Sequence, residues 1–289
     1  MIPDNDQTVC SIVSDKISGR RVGCIPAQEY KKVEQIYESI SRDSPASKKR
    51  PCKKDGDLCK LKTSLEHRRG DLFLNNLYKL FYKPSQPREW KECENKRSCS
   101  KNWITNHNIY DIMHQYMFTY SNFLFLGVFY IDFMFHDQKN LNGTKCPIDR
   151  LNFFELNKSG INVCAMILNT ASHGEDGEHW VSMVFFWQGS QGEINFYDSY
   201  GNSVISPMPD EIIIYMRMIQ KCGQLYGIDF VCQKSKIIHQ KKNGECGVYA
   251  LYFVIHSLEN SLDGIEDRIP DEKMSKYRDV FWRTENRIV

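Results

Sequence analysis

The chain has 289 residues, with 41% hydrophobic and 26% charged side chains, which is typical of a globular protein with one main domain and an extension. Met1–Asp6 is polar and no apolar segment follows it, which argues against a secretory signal peptide. The most apolar stretch, Phe118–Phe135, is interrupted by Ser121, Asn122 and Asp132, so it is interpreted as core and not as a membrane span. These observations predict a soluble, intracellular protein.

The first hundred residues are basic, whereas the rest of the chain is acidic. Residues 1–100 hold 21 Lys and Arg against 14 Asp and Glu, a net charge of +7, and the remainder has a net charge of −5. The basic surplus peaks in Lys48–Lys54, which could attract nucleic acid; because no aromatic side chains alternate with the charges, a solvated linker is preferred. Helical spacing predicts helices over Ala27–Ile40 and Asp71–Tyr82. We therefore expect a helical, basic accessory region at 1–100 and a larger, separate domain at 101–289.

From Trp103 onward, helices and strands alternate. Helical spacing of apolar side chains predicts a helix over Asn108–Tyr120, a second over Pro209–Cys222, and a very apolar third over Gly247–Leu258. Short apolar runs predict four strands, over Val163–Leu168, His179–Trp187, Ile194–Tyr197 and Val231–Ile238. Strands mixed with helices, one of which is apolar on most sides, predict a layered α+β fold.

The eleven cysteines do not indicate a disulfide framework. Their number is odd, the chain is not small, and nothing in it directs secretion. The pairs Cys52/Cys59 and Cys93/Cys99 are spaced too widely for a zinc site. The sequence therefore predicts reduced thiols, no metal and no cofactor.

Two polar residues lie at the ends of neighbouring predicted strands. His179 stands where a loop containing Gly177 enters an apolar strand; single histidines are more often structural than catalytic, but a strand would hold this one rigidly. His173, in the same loop, has no strand directly after it and is not selected. Asp198 lies at the end of the next strand. It either caps a turn or, if the two strands pair as a hairpin, returns to His179 and orients the imidazole.

Cys246 follows a polar loop and opens the very apolar helix. Backbone N–H groups and the positive end of the helix dipole favour a thiolate at such a position. Gly247 leaves space beside the sulfur for a substrate backbone, and the side-chain amide of Gln240, six residues upstream, could donate to an oxyanion. A cysteine at a helix start is not diagnostic alone, but the Gln, Glu and Gly around it are hard to explain by packing.

Together these segments resemble the Ulp1/SUMO-protease and adenovirus-protease group of cysteine peptidases. The order is His, Asp, Gln and Cys, with HW at the end of a loop, YDS at a strand end and QxxxxxCG before a helix. The likeness extends to the polyprotein-processing proteases of large cytoplasmic DNA viruses, such as that of African swine fever virus. It is carried there by Leu168-Asn169-Thr170, by Gly201-Asn202-Ser203 and by the RIPDEKM segment at 268–274, and it spans roughly residues 103–282.

The resemblance implies a papain-like core, with a central mixed sheet flanked by helices, and a set of site residues. His179 would be the general base, Cys246 the nucleophile and Asp198 the orienting residue, with Gln240 and the backbone N–H of Cys246 as the oxyanion hole. The viral relative has Asn where this chain has Asp198, so that position is exchangeable. The implied substrate-binding residues are two tryptophans that clamp the small residues of a Gly-Gly sequence, and three positions beside them: Trp103, Trp180, Asn106, Asn169 and Gly247.

The function implied is a cysteine endopeptidase that cleaves after Gly-Gly sites, most simply in the maturation of viral structural polyproteins. We would expect such an enzyme to act as a monomer, in the host cytoplasm and in the virion. The alternative is an isopeptidase that removes SUMO or another ubiquitin-like protein, which needs a broad polar face for a folded modifier, whereas a peptide needs only the cleft. The paired tryptophans argue against an acetyltransferase. The intact set of four catalytic positions argues against a binding module with a dead site.

Overall fold

The computed structural model describes residues 103–134, 151–201, 207–242, 244–259 and 267–282, together with positions 84, 86, 87, 90 and 265. The predicted helices Ala27–Ile40 and Asp71–Tyr82 and the basic Lys48–Lys54 run lie outside the described residues. Of the predicted accessory region, the structure places Trp90, which is buried and packs edge-on against Trp282 with 5.1 Å between ring centroids.

The described part of the chain folds into a mixture of helices and strands. The helices are α1 Asn106–Thr119, α2 Phe153–Lys158, α3 Asp210–Leu225, α4 Cys246–Glu259 and α5 Asp271–Phe281. The strands are β1 Phe123–Tyr130, β2 Val163–Asn169, β3 Trp180–Gln188, β4 Gln191–Tyr197 and β5 Asp229–Lys234. The predicted helices α1, α3 and α4 and strands β2, β3 and β4 are confirmed, whereas β1, α2 and α5 were not predicted as elements.

The last predicted strand, Val231–Ile238, is too long at its C-terminal end. β5 ends at Lys234, and the backbone N–H of Ser235 still donates to Phe196 O at 2.9 Å. Beyond it, the N–H groups of His239 and Gln240 both donate to Ser199 O, at 2.9 and 2.8 Å. The chain therefore leaves the sheet because its hydrogen bonds go to the turn after β4.

The five strands form one mixed sheet in the order β1-β2-β3-β4-β5. The outer pairs β1/β2 and β4/β5 are parallel, and the inner pairs β2/β3 and β3/β4 are antiparallel. β3 and β4 are joined by the two residues Gly189-Ser190, and Gly189 has a φ of 61°, which a short hairpin turn needs and glycine tolerates. The predicted hairpin between the His179 and Asp198 strands is confirmed.

Helices cover both faces of the sheet, and alternation along the strands separates two apolar cores. On β2, Val163, Ala165 and Ile167 pack on the side of α1, α4 and α5, whereas its other apolar side chains pack with α3. Helix α4 is buried along almost its whole length and lies against β3. The predicted α+β class, with a mixed sheet flanked by helices, is confirmed.

No helix within the described ranges is both long and apolar enough to cross a membrane.

Candidate active site

The hairpin of β3 and β4 brings His179 and Asp198 into direct contact. Ser182 of β3 pairs with Tyr197 of β4. The residue just before β3, His179, and the residue just after β4, Asp198, therefore lie at the same end of the hairpin. His179 Nε2 lies 2.8 Å from Asp198 Oδ1, and both side chains are largely buried. The carboxylate thus fixes the ring through one nitrogen and leaves Nδ1 for another partner.

That other partner is Cys246, the first residue of α4. Burial lowers the pKa of His179, but hydrogen bonds to Asp198 and to Cys246, with the negative charge of each, outweigh it and raise the pKa to about 9 from 6.5. The raised pKa makes this imidazole a good acceptor for the proton of the neighbouring thiol.

Tyr200 covers the open face of the imidazole. Its ring stacks on His179 with 4.7 Å between centroids and 28° between planes, and its backbone N–H donates to Asp198 Oδ1 at 2.9 Å. A tyrosine ring against an imidazolium adds cation–π attraction and limits ring rotation. Burial and the nearby negative charges of Cys246 and Asp198 raise the pKa of Tyr200. Tyr200 was not among the predicted site residues.

A tight turn holds Asp198 in place. The N–H of Gly201 donates to Asp198 O at 2.9 Å, and Gly201 has a φ of 69°, where a Cβ would also lie 3.0 Å from Ile237 O. Ser235 Oγ lies 3.2 Å from both the backbone N and the backbone O of Asp198. Gly201 is therefore required by the turn, because other residues would be strained at this φ.

Gln240 is fully buried next to this turn, and its carboxamide is oriented at both ends. Its Oε1 accepts from Ser199 Oγ at 2.7 Å, and its Nε2 donates to Lys242 O at 2.6 Å. These contacts fix which end of the amide is nitrogen. The second Nε2 proton has no acceptor among the described residues, so it is the donor that an oxyanion could use.

The segment before Cys246 is tied to helix α5 by a buried ion pair. Glu245 accepts from Arg278 Nε at 2.9 Å, and Arg278 Nη2 donates to Gly244 O at 2.9 Å. The Arg278 guanidinium also lies 4.4 Å from the centroid of the Trp90 ring. Burial raises the pKa of Glu245, and the arginine partly offsets this effect. Neither Arg278 nor its pairing was predicted.

Gly247 makes room for a neighbour that the sequence analysis did not select. A Cβ there would overlap Cγ1 and Cδ1 of Ile104 and would lie 3.0 Å from Cδ1 of Trp180. Trp180 in turn donates its Nε1–H to Ile104 O at 3.0 Å. Trp103 directly precedes Ile104 and is 36% exposed. The backbone next to Trp103 is therefore hydrogen-bonded to the Trp180 ring through Ile104 O. The side chain of Ile104 fills the space beside Gly247.

The two predicted asparagines differ in setting. Asn169 is buried, and its Oδ1 accepts from the N–H groups of Ala171 at 3.0 Å and Glu178 at 3.1 Å. It thereby closes the loop that leads to His179. Asn106 is exposed at the start of α1, where its Oδ1 accepts from His107 N at 2.9 Å. In this structure both carboxamide oxygens are engaged by backbone groups of the protein.

The described part of the chain contains no group of three His, Cys, Asp or Glu side chains placed to hold a metal ion. Cys164, Cys232 and Cys246 are free thiols there, and Cys222 Sγ–H donates to Leu151 O at 3.1 Å. Burial raises the pKa of Cys164 far above its ordinary value, which makes that thiol inert.

A cysteine hydrogen-bonded to a histidine that a carboxylate holds is the arrangement found in cysteine peptidases. No protein-family model matches the chain. A thiol protease of Acanthamoeba polyphaga mimivirus is 31% identical over 194 residues, which cover 65% of this chain and 59% of that protein. A protein of African swine fever virus named SUMO-1 cysteine protease is 30% identical over 129 residues, 44% of this chain and 46% of that protein.

The fold agrees with these sequence relatives. The crystal structure of the African swine fever virus protease superposes with a TM-score of 0.61 at 20% identity and covers 96% of both chains. The aligned part of the chain spans about half to three-fifths of the length of the two relatives it matches in sequence. The resemblance inferred from the motifs is therefore confirmed: the sequence relatives are viral thiol and cysteine proteases, and the fold is shared with one of them.

Proposed function

We propose that this chain is a cysteine peptidase whose nucleophile is Cys246. The observation that carries the proposal is that His179 bridges Cys246 and Asp198, with its pKa raised to about 9. His179 acts first as the general base that takes the proton of Cys246, as the resemblance implies. As an imidazolium it then donates that proton to the leaving group.

The proposed reaction has two halves. The Cys246 sulfur attacks the scissile carbonyl carbon, and the carbonyl π electrons move to oxygen to give a tetrahedral oxyanion. The free Nε2–H of Gln240 and the backbone N–H of Cys246 stabilise this oxyanion. When the C–N bond breaks, the imidazolium donates its proton to the leaving amine. The neutral imidazole then takes a proton from water, which hydrolyses the thioester and releases Cys246.

The proposed substrate contains a Gly-Gly sequence before the scissile bond. Support comes from Ile104, which fills the space at Gly247 and accepts the Trp180 N–H, so that large apolar groups crowd the surface beside the nucleophile. The resemblance implies that Trp103 and Trp180 flank the approach to Cys246, and a narrow approach of that kind favours residues without a Cβ. The wider proposal, processing of a structural polyprotein in an infected cell, rests on the resemblance to viral maturation proteases.

Removal of a ubiquitin-like protein is the second candidate, because one relative carries the name SUMO-1 cysteine protease. The discriminating experiment compares two substrates, a short peptide with an internal Gly-Gly-X sequence and a SUMO fusion that carries the same sequence at its junction. Similar kcat/KM values for both indicate a peptidase that recognises the extended chain, whereas a preference for the fusion of more than about 10²-fold, about 2.7 kcal/mol, indicates a folded modifier.

The matched controls are Cys246→Ala and a peptide in which the second glycine is replaced by alanine. Hydrolysis should vanish in the first and fall strongly in the second. Absence of Cys246-dependent cleavage of either substrate would refute the proposed activity. Equal cleavage of the alanine peptide would refute only the Gly-Gly preference.

A further inference from the structure

The loop between Gln240 and Cys246 is held from outside by a buried carboxylate at the start of α5. Asp271 Oδ1 and Oδ2 accept from the N–H of Lys241 at 3.2 and 3.1 Å, and Oδ1 also lies 3.4 Å from the N–H of Lys242. Asp271 is 5% exposed, and Arg268 Nη2 lies 3.3 Å from its Oδ2. A buried carboxylate that accepts backbone N–H bonds fixes the peptide units it binds.

The residue that ends this pair of peptide units carries the atom that orients Gln240. Lys242 O, in the next peptide unit, accepts from Gln240 Nε2 at 2.6 Å, and the N–H of Lys242 lies 3.4 Å from Asp271 Oδ1. The chain of contacts therefore runs from Asp271 through the backbone of Lys241 and Lys242 to the amide of Gln240. Because the amide group is planar, the contacts of Gln240 with Ser199 Oγ and Lys242 O also fix the direction of its remaining Nε2 proton.

We propose that Asp271 is a positioning residue that acts through Gln240. It fixes the Lys241–Lys242 backbone so that the side-chain amide of Gln240 is aimed at the oxyanion. Asp271 itself touches neither the substrate nor the reacting atoms. The inference rests on the proposed peptidase activity, because it assigns a role in stabilising the oxyanion of that reaction.

A neighbouring acid provides a matched control. Glu272 accepts from Lys242 Nζ at 2.6 Å, but both side chains are about two-thirds exposed, and the contact is with the side chain of Lys242. Such exposed pairs contribute little to structure. Glu272→Ala therefore removes a neighbouring carboxylate that also contacts Lys242. It leaves the contacts between Asp271 and the backbone N–H groups of Lys241 and Lys242 in place.

The test is a double-mutant cycle on kcat between Asp271→Ala and Gln240→Ala. Gln240→Ala should lower kcat by about 10²–10³-fold, the effect of losing one oxyanion donor. Asp271→Ala alone should lower kcat by about 10²-fold with KM little changed, as expected when a catalytic group is misplaced by about 1 Å. Added to Gln240→Ala, it should lower kcat by less than about 3-fold more, because the group it positions is already absent. Asp271→Asn keeps one acceptor oxygen but loses the charge, so it should lower kcat by an intermediate amount, about 10-fold, and Glu272→Ala should match the wild type.

Multiplicative losses in the double variant, or a loss that falls on KM alone, would overturn the proposal and leave Asp271 with a purely structural role. A melting temperature for each variant separates unfolding from mispositioning; if Asp271→Ala does not fold, the Asp271→Asn cycle decides by the same criterion. If the wild type cleaves no substrate, the peptidase proposal fails by itself. The positioning of Gln240 is then judged by NMR of its side-chain amide protons, which should exchange faster in Asp271→Asn and not in Glu272→Ala, and an unchanged exchange rate would overturn it.

Discussion

Replacing Gly247 with alanine should destabilise the protein by forcing Ile104 away from the start of α4. The new Cβ would overlap Cγ1 and Cδ1 of Ile104, which is 3% exposed and belongs to the core. Ile104 cannot withdraw freely, because its carbonyl oxygen accepts from Trp180 Nε1 at 3.0 Å. Overpacking of this kind costs about 1–3 kcal/mol. In a domain of this size that is a fall in Tm of roughly 2–10 °C, which differential scanning calorimetry resolves.

A second substitution, at Ile104, tests whether this overlap causes the loss of stability. Ile104→Ala removes the two atoms that a Cβ at Gly247 would overlap, at a cost of its own of about 2–5 kcal/mol for the cavity. The double variant should therefore be more stable than the two separate losses predict, by about 1–3 kcal/mol. Additive losses, or a Gly247→Ala variant as stable as the wild type, would refute the packing described for Ile104.

Two further predictions concern the histidine. Against the effect of burial, Asp198 and Cys246 raise the pKa of His179 to about 9 from 6.5, so its stabilisation is complete below about pH 6.5 and is lost as the pH rises through about 9. The wild type should be more stable than His179→Gln, and this difference in the free energy of unfolding in urea should shrink by at most about 3 kcal/mol between pH 6.5 and 10. A difference that does not depend on pH would contradict the pairing. Asp198→Asn keeps an oxygen for His179 Nε2 but loses the charge, so kcat should fall by less than in Asp198→Ala, and the alkaline limb of the kcat/KM profile should move below pH 9. An unmoved limb would count against the role of the carboxylate.

The sequence predicted the elements whose side-chain pattern is strong. The short apolar runs of β2, β3 and β4 and the unbroken apolar run of α4 are local signals, and so are the polar residues that flank the strands. Because a hairpin joins β3 to β4, the contact between His179 and Asp198 could also be predicted. Cys246 could be placed at a helix start, since the polar loop gives way abruptly to the apolar helix.

The residues that the sequence analysis missed act through contacts between distant segments. Ile104 meets Gly247, and Asp271 meets the backbone of Lys241; no local period indicates either pair. Helix α5 itself had a start signal, because Pro270 is followed by two acidic residues, and a search for helix caps would have found it. Its register against the Cys246 loop is set by tertiary packing, which a single sequence does not contain.

The central claim, that Cys246 is a nucleophile activated by His179, is tested most directly by covalent labelling. The full-length protein is treated with a peptide vinyl sulfone ending in Gly-Gly, and the labelled peptides are identified by mass spectrometry. One adduct is expected, on Cys246, although Cys246 is buried and Cys232 is exposed. Labelling should slow by at least about 10²-fold in His179→Ala. An adduct on Cys232, or an equal labelling rate in His179→Ala, would contradict the claim that His179 activates Cys246.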